Sequence, residues 1–178
     1  MCIRDSFETL LKKFGSKTPS IWENYADYLH KVANKPEVAR GLLKRATQAL
    51  EDRHHLPLAV RFAALEFHSP NGDPETGRTL FEGLLAASPK RFDLWNQLLD
   101  LETSAYAKAG EKADKQPVRD VFDRGSKVKG LKAEKAKKWF QRWAKWEEAN
   151  GDKKDRERVT ARAQQWAREA ESRKKAQE

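Results

Sequence analysis

Cysteine is nearly absent from this chain of 178 residues, because Cys2 is the only one. A single thiol excludes a disulfide within the chain and a zinc site built from several cysteines. Long hydrophobic runs are missing too: the mean hydropathy is −0.92, and no run approaches the roughly 20 apolar residues that a membrane-spanning helix needs. No apolar segment of a secretory signal follows the first residues. We therefore expect a reducing compartment and no membrane partner.

The motifs of common catalytic classes are also missing. The sequence has no phosphate-binding loop of the Walker type and no nucleophile elbow. Its four histidines are His30, His54, His55 and His68, and two adjacent histidines on a connector are poorly placed to converge on a metal. We expect no enzyme, no cofactor or metal, and no small-molecule substrate.

Large aromatic residues are abundant, with six Trp, eight Phe and three Tyr. A disordered, solvated segment is depleted in such side chains, so these residues predict a packed core. Their spacing of three or four residues places them on one face of successive helices. The stripes are Trp22/Tyr25/Tyr28, Phe62/Leu65/Glu66, Trp95/Leu98/Leu101/Glu102 and Phe140/Trp143/Trp146/Glu147.

A second recurring feature is an arginine that precedes two apolar residues, at Arg40, Arg78 and Arg119. Together the two registers predict pairs of helices, and an amphipathic pair must stack on its neighbours to bury its apolar face. The sequence therefore predicts an all-α fold, a right-handed α-solenoid of stacked antiparallel helix pairs. The predicted pairs are 20–33 with 36–51, 57–68 with 74–87, 91–109 with 116–128, and 133–149 with 153–173.

The repeat pattern also divides the chain. Residues 7–173 form the predicted repeat domain, with a partial repeat at 7–18 before the four pairs, which occupy 20–51, 57–87, 91–128 and 133–173. Residues 1–6 are predicted to be a non-native or unstructured leader, and residues 174–178 a polar tail. The predicted structural core consists of Trp22, Tyr25, Phe62, Phe81, Trp95, Phe122, Phe140, Trp143 and Trp146.

Two further residue types recur with the repeat. Glu66, Glu102 and Glu147 predict a structural role, as ion-pair partners of the neighbouring Arg78, Arg119 or Arg158. Glycine costs about 1 kcal/mol relative to alanine inside a helix. Its presence in the predicted second helices therefore indicates close helix–helix approach, at Gly41, Gly77, Gly83 and Gly125.

Helix pairs of this kind resemble the half-a-tetratricopeptide repeats of RNA-processing scaffolds. An ordered set of sequence blocks makes the likeness more specific. These blocks are FETLLKKF at 7–14, GRTLFEGLL at 77–85, PKRFDLW at 89–95 and VRDVFDR at 118–124. With the segments 138–147 and 159–163, they resemble the C-terminal repeat region of the ribosomal-RNA-processing protein five family, called programmed cell death protein eleven in animals. The likeness covers about residues 7–173. It departs from the pattern at the Ala- and Lys-rich segment 103–115 and at Ala59, where other repeats carry Trp or Phe.

The resemblance implies a non-catalytic scaffold in the nucleus and nucleolus that docks ribosome-assembly proteins, a DEAD-box helicase among them, for processing of pre-rRNA. In that family, S1 domains precede the helical repeats and carry much of the RNA binding. The strands of such a barrel are absent from this sequence. The loop before Trp95 supplies the candidate partner contacts, which are Lys90, Arg91 and Asp93.

Positive charge is concentrated late in the chain. The net charge is +1 over residues 1–124 and +8 over residues 125–178. Such a segment can bind RNA phosphates without sequence preference, or it can be a solvated helical face with internal charge pairs. For the function of the whole chain, two further alternatives are a scaffold in splicing or 3′-end processing and a co-chaperone that binds a peptide's C-terminal carboxylate. The candidate RNA contacts are Lys127, Lys129, Lys132, Lys135, Lys138, Arg142, Lys145, Arg156, Arg158 and Arg162.

Overall fold

A computed structural model describes residues 2–110 and 112–176, and the regular structure in these ranges is entirely helical. The prediction of an all-α fold of helix pairs is confirmed. None of the helices in these ranges is long and apolar enough to cross a membrane. The helices are α1 (Ile3–Phe14), α2 (Pro19–Lys31), α3 (Pro36–Ala49), α4 (His55–His68), α5 (Pro74–Ala87), α6 (Phe92–Ala109), α7 (Gln116–Ser126), α8 (Ala133–Asn150) and α9 (Lys153–Lys175), with a 3₁₀ helix at Asp52–His54 before α4.

The chain divides into two compact units. The first contains the residues up to Ser88 together with Asp100–Lys112. In this unit α2 packs against α3 and α4 packs against α5, and α4 also contacts both α2 and α3. One helix pair is therefore covered by the first helix of the next, as stacked repeats require.

Aromatic side chains fill the core of the first unit. Trp22 and Tyr25 are buried with Leu29, Leu42 and Phe62. The Trp22 indole N–H donates a hydrogen bond to the Gly15 carbonyl oxygen over 2.8 Å. A buried tryptophan thereby contributes apolar area without leaving its polar atom unsatisfied.

The second unit contains Pro89–Leu99 and the residues from Ala113 onward. Its helices α7, α8 and α9 pack in order along the chain. The Phe122 ring stacks on Trp143 with centroids 5.4 Å apart, and it meets the Trp139 ring edge-on at 5.4 Å. The Trp139 indole donates to the Phe122 carbonyl oxygen over 2.9 Å. This cluster joins α7 to α8.

The aromatic residues predicted to form the core have two different environments. Eight of the nine are buried, but Trp146 is half-buried. Its ring centroid lies 6.0 Å from the Arg119 guanidinium carbon. Trp146 therefore covers an arginine as well as packing against the core, a favourable cation–π geometry.

The first helix begins earlier than the repeat pattern predicts. Residues 3–6, predicted as part of an unstructured leader, form the first turn of α1. The Asp5 carboxylate accepts a hydrogen bond from the Cys2 backbone N–H over 3.3 Å. An acidic side chain in the first turn satisfies a free backbone donor there, which explains why a segment without repeat aromatics is helical. Met1 lies outside the described residues.

The last helix extends through the predicted boundary between repeat and tail. Helix α9 ends at Lys175, so residues 174 and 175 of the predicted polar tail are helical. The Asp152 carboxylate accepts from the Asp155 backbone N–H over 2.9 Å and caps the start of this helix. Residues 177 and 178 of the predicted tail lie outside the described residues.

Two of the four helix glycines allow close approach. A Cβ atom on Gly77 would lie 2.6 Å from the Phe67 ring, and one on Gly125 would overlap the Trp139 ring. The prediction is confirmed at these positions. It is wrong for Gly41 and Gly83, since a Cβ atom there would have no neighbour within 4 Å.

Candidate interaction surfaces

The repeat glutamates form bidentate ion pairs with arginines of the preceding helix. Arg78 Nε and Nη2 donate to the two Glu102 carboxylate oxygens over 2.6 and 2.8 Å. Arg119 donates to both Glu147 oxygens over 2.9 Å. Arg40 donates to Glu66 over 2.8 and 3.0 Å. We call these six residues the Arg–Glu ladder: Arg40/Glu66, Arg78/Glu102 and Arg119/Glu147.

The ladder differs from the predicted pairing. Each glutamate binds the arginine of the helix before it, whereas the sequence predicted the helix after it. Arg158, the predicted partner of Glu147, lies instead 3.9 Å from Asp155. Helical periodicity places a residue on a face but leaves open which neighbouring helix that face meets. The ladder therefore joins successive helix pairs.

Burial makes the ladder electrostatically strong. The side chains of Glu66, Glu102 and Glu147 are only 2–3% exposed. The hydrogen bonds that each guanidinium donates to its carboxylate raise the pKa of the arginine above its ordinary value, most strongly for Arg78 beside Glu102. A buried carboxylate needs such pairing, because an uncompensated buried charge is costly. These glutamates therefore hold neighbouring helices together through buried ion pairs.

His30 lies beside the first rung of the ladder. Its ring is buried, with Nε2 3.8 Å from a Glu66 oxygen, and its Nδ1 has no hydrogen-bond partner. Burial lowers the pKa of His30 below its ordinary value, although the nearby Glu66 charge opposes this shift. In the described ranges, no group of three or more His, Cys, Asp or Glu side chains is arranged to hold a metal ion.

The candidate RNA contacts divide into three sets. Lys127, Lys129 and Lys132 are exposed between α7 and α8. Lys135, Lys138, Arg142 and Lys145 have the spacing of one face of α8. Arg156, Arg158 and Arg162 lie on α9.

Part of the α8 set lines a groove. Lys135, Lys138 and Arg142 surround a cavity of about 250 Å³ together with Phe92, Asp93 and Asn96 of α6. The Asp93 carboxylate there is paired with Arg91. Lys138 also lies 3.3 Å from the exposed Glu134. Three cationic side chains around one groove are suited to an anionic ligand such as a phosphate.

Two other candidate RNA contacts lie beside Asp123. The Arg162 side chain is only 13% exposed and lies 3.9 Å from Asp123, while Lys127 Nζ lies 2.5 Å from the same residue. Arg162 is therefore largely withdrawn from solvent. The basic residues of segment 125–178 therefore differ in exposure and pairing, although the net charge counts them alike.

The predicted partner loop contains its own ion pair. Arg91 Nε and Nη2 donate to the Asp93 carboxylate over 3.0 and 2.5 Å. These hydrogen bonds lower the pKa of Asp93. Lys90 lies exposed in the turn, but Asp93 belongs to the first turn of α6. The loop therefore offers Lys90 and a neutralised Arg91–Asp93 pair.

A second groove, which was not predicted from the sequence, lies between α8 and α9. It has a volume of about 420 Å³ and a mostly apolar lining that includes Phe140, Ala144, Val159, Ala163 and Trp166. The Phe140 and Trp166 rings meet edge-on with centroids 6.5 Å apart. Alanines at helical spacing on both helices were the available sequence signal, since small side chains leave room between helices.

Comparison with known proteins identifies the family of this chain. No family model matches the chain. The rRNA biogenesis protein rrp5 of Schizosaccharomyces pombe is 39% identical over 170 residues, which cover 96% of this chain and 9% of that protein. The chain belongs to the RRP5 family. The family resemblance inferred from the ordered sequence blocks is confirmed.

Other RRP5 proteins match across distant eukaryotes. The human RRP5 homolog is 30% identical over 141 residues, covering 79% of this chain and 7% of that protein. The Arabidopsis thaliana RRP5 protein is 30% identical over 164 residues, covering 90% of this chain and 8% of that protein. The chain thus spans less than a tenth of the length of these RRP5 relatives.

Proposed function

We propose that this chain is a non-catalytic scaffold of a nucleolar ribosome-biogenesis factor, which docks assembly proteins during pre-rRNA processing. The observation that carries this proposal is the Arg–Glu ladder. The recurring charged residues hold helix pairs together, and the recurring aromatics pack between them. What remains for function is the exposed surface of stacked helices, which binds other macromolecules in repeat proteins.

The RRP5 relatives support the biological setting. Their names assign them to rRNA biogenesis, which favours this role over scaffolds of splicing or 3′-end processing. The expected partners are ribosome-assembly proteins, including a DEAD-box helicase, and pre-rRNA reached directly or through them. We infer a location in the nucleus and nucleolus from the same relatives.

Affinity capture from nuclear extract tests the scaffold function. The tagged chain is used with and without nuclease treatment, and the bound proteins are identified by mass spectrometry. We expect assembly factors to stay bound after nuclease. Loss of every partner on nuclease treatment would contradict docking through protein contacts, and nucleotide turnover by the purified chain would contradict a non-catalytic role.

Direct RNA binding is a second candidate function, favoured by the groove of Lys135, Lys138 and Arg142. We infer that this groove contacts the RNA backbone with little sequence preference. If several phosphates are contacted, affinity should fall steeply between about 50 and 200 mM salt. The test replaces Lys135, Lys138, Arg142 and Lys145 with glutamate and measures RNA affinity.

A matched control separates this site from general positive charge. In the control, four basic residues on a different helix, α9, are replaced with glutamate. They are Lys153, Lys154, Arg168 and Lys175. We expect RNA binding to be lost in the α8 variant and largely kept in the α9 variant, with helicity unchanged in both. Equal loss in the two variants would contradict a defined site.

A further inference from the structure

The α8–α9 pair is less covered than an equivalent pair earlier in the chain. In the first unit, α4 contacts both α2 and α3. Ala26 of α2 and Ala46 of α3 accordingly have no exposed surface. On the last pair, Ala144 is exposed and Ala163 is half-buried.

Arg156 stands at the next position of the Arg–Glu ladder. Arg78 and Arg119 each lie three residues before a buried phenylalanine, Phe81 and Phe122 respectively, and Arg156 lies three residues before the buried Val159. Arg78 and Arg119 each bind a glutamate of the following helix. The Arg156 side chain is exposed and has no ion pair or hydrogen bond with another described residue.

Arg156 belongs to the same surface as the apolar groove. It lies three and four residues before Val159 and Thr160, which line the groove, and side chains at these spacings share one face of a helix. An occupant that fills the groove therefore lies within reach of this guanidinium. The last pair thus presents an apolar groove and, at the next position of the repeat, an arginine without an ion pair among the described residues.

Charge indicates the chemistry of the occupant. Residues 133–175 contain fourteen basic and eight acidic side chains, and the acidic Glu147 and Asp155 are both bound to Arg119. Elsewhere in this chain, a ladder arginine is matched by a glutamate on a helix that also carries apolar residues. An acidic amphipathic helix combines both requirements.

We propose that the α8–α9 groove binds an acidic amphipathic helix of a partner protein, which inserts apolar side chains between Ala144 and Ala163 and pairs a glutamate with Arg156. This inference rests on the scaffold function proposed above and names the surface that performs it. The Phe140 and Trp166 rings form the apolar part of the site, and Arg156 fixes the register of the bound helix.

A peptide from the chain itself provides the probe. A fluorescein-labelled peptide with the sequence of residues 92–109 carries the glutamate that pairs with Arg78, and it contains three acidic residues and one basic residue. Fluorescence anisotropy measures its binding to the full chain. We expect saturable binding, weakened about fivefold or more by Arg156→Glu and by Ala144→Glu.

The matched control is Lys154→Glu, which makes the same charge change two residues away, on another face of α9. We expect this variant to bind the peptide within about twofold of the unchanged protein. A peptide with arginine in place of its ladder glutamate should regain affinity for the Arg156→Glu chain, because the pair is restored with reversed charge. Circular dichroism verifies that each variant is folded.

Several outcomes would overturn the assignment. These are absence of saturable binding, an equal loss with Lys154→Glu, and failure of the reversed pair to restore affinity. Sedimentation velocity that reveals a dimer abolished by Arg156→Glu would assign the groove to a second copy, and competition by RNA alone would assign it to nucleic acid.

Capture from nuclear extract distinguishes this inference from the scaffold function. If Arg156→Glu loses the peptide but retains the same nuclease-resistant assembly factors, the groove assignment fails and the scaffold function stands. If the unchanged chain retains no nuclease-resistant partner, the scaffold function itself fails, whatever the peptide does.

Discussion

At the residue scale, glycine has two opposite roles in this chain. Gly125 lies against the Trp139 ring, where any side chain would collide with a buried indole. Gly83 also lies inside a helix but faces open space. The sequence predicts the same role for both glycines, because each lies in the second helix of a predicted pair. Only the packing of α7 on α8 distinguishes them.

The two glycines therefore predict opposite effects of alanine. Gly125→Ala should destabilise the protein by about 1–3 kcal/mol, because the ring and helix must move apart. Gly83→Ala should stabilise it by up to about 1 kcal/mol, since alanine is the better helix former. Urea denaturation monitored by circular dichroism measures both. Destabilisation by Gly83→Ala, or stabilisation by Gly125→Ala, would show that the contacts are assigned wrongly.

At the element scale, the Arg–Glu ladder fixes how one helix pair meets the next. The Arg78 side chain is 28% exposed, whereas Glu102 is only 3% exposed. Loss of the arginine thus strands a buried carboxylate, and loss of the glutamate leaves an arginine that water can reach. The arginine and the glutamate of this ion pair therefore contribute unequally to stability.

Arg78→Met should consequently cost more stability than Glu102→Gln. We expect about 3 kcal/mol for the first, near the lower end for a stranded buried charge, and about 1–2 kcal/mol for the second. The double variant Arg78→Met/Glu102→Gln should recover part of the loss, because no charge remains buried. Urea unfolding of the four proteins completes the cycle. Equal costs for the two single changes would contradict the asymmetry of burial.

The elements also mark what the sequence could predict. Apolar spacing located the helix pairs, because it reflects the periodicity of a single helix. The partner of Glu147 could not be predicted, since it depends on which helices become neighbours. For the α8–α9 groove the sequence offered one signal, the alanines at helical spacing on both helices. Arg162 was predicted as an RNA contact from its charge alone, and tertiary packing largely buries it.

At the scale of the whole molecule, buried and paired ionisable groups couple stability to pH. Burial lowers the pKa of His30 and of His68 below 6.5, so the unfolded chain binds these protons more readily than the folded one. Several carboxyl groups have lowered pKa values from hydrogen bonds or ion pairs, among them Glu8 beside Arg45 and Asp93 beside Arg91. Both effects favour the folded state at neutral pH.

Stability should therefore fall in two stages as the pH decreases. A lowered histidine pKa contributes stability that is complete above about pH 6.5 and declines below it, because the unfolded state gains protons first. The carboxyl groups add a second decline below about pH 4.5, where the unfolded chain is protonated first. Urea midpoints measured from pH 8 to pH 3.5 would record both stages. The double variant His30→Gln/His68→Gln should flatten the slope between pH 6.5 and 5 while keeping the acidic decline. An unchanged slope in that variant would contradict a neutral, buried His30 beside the ladder.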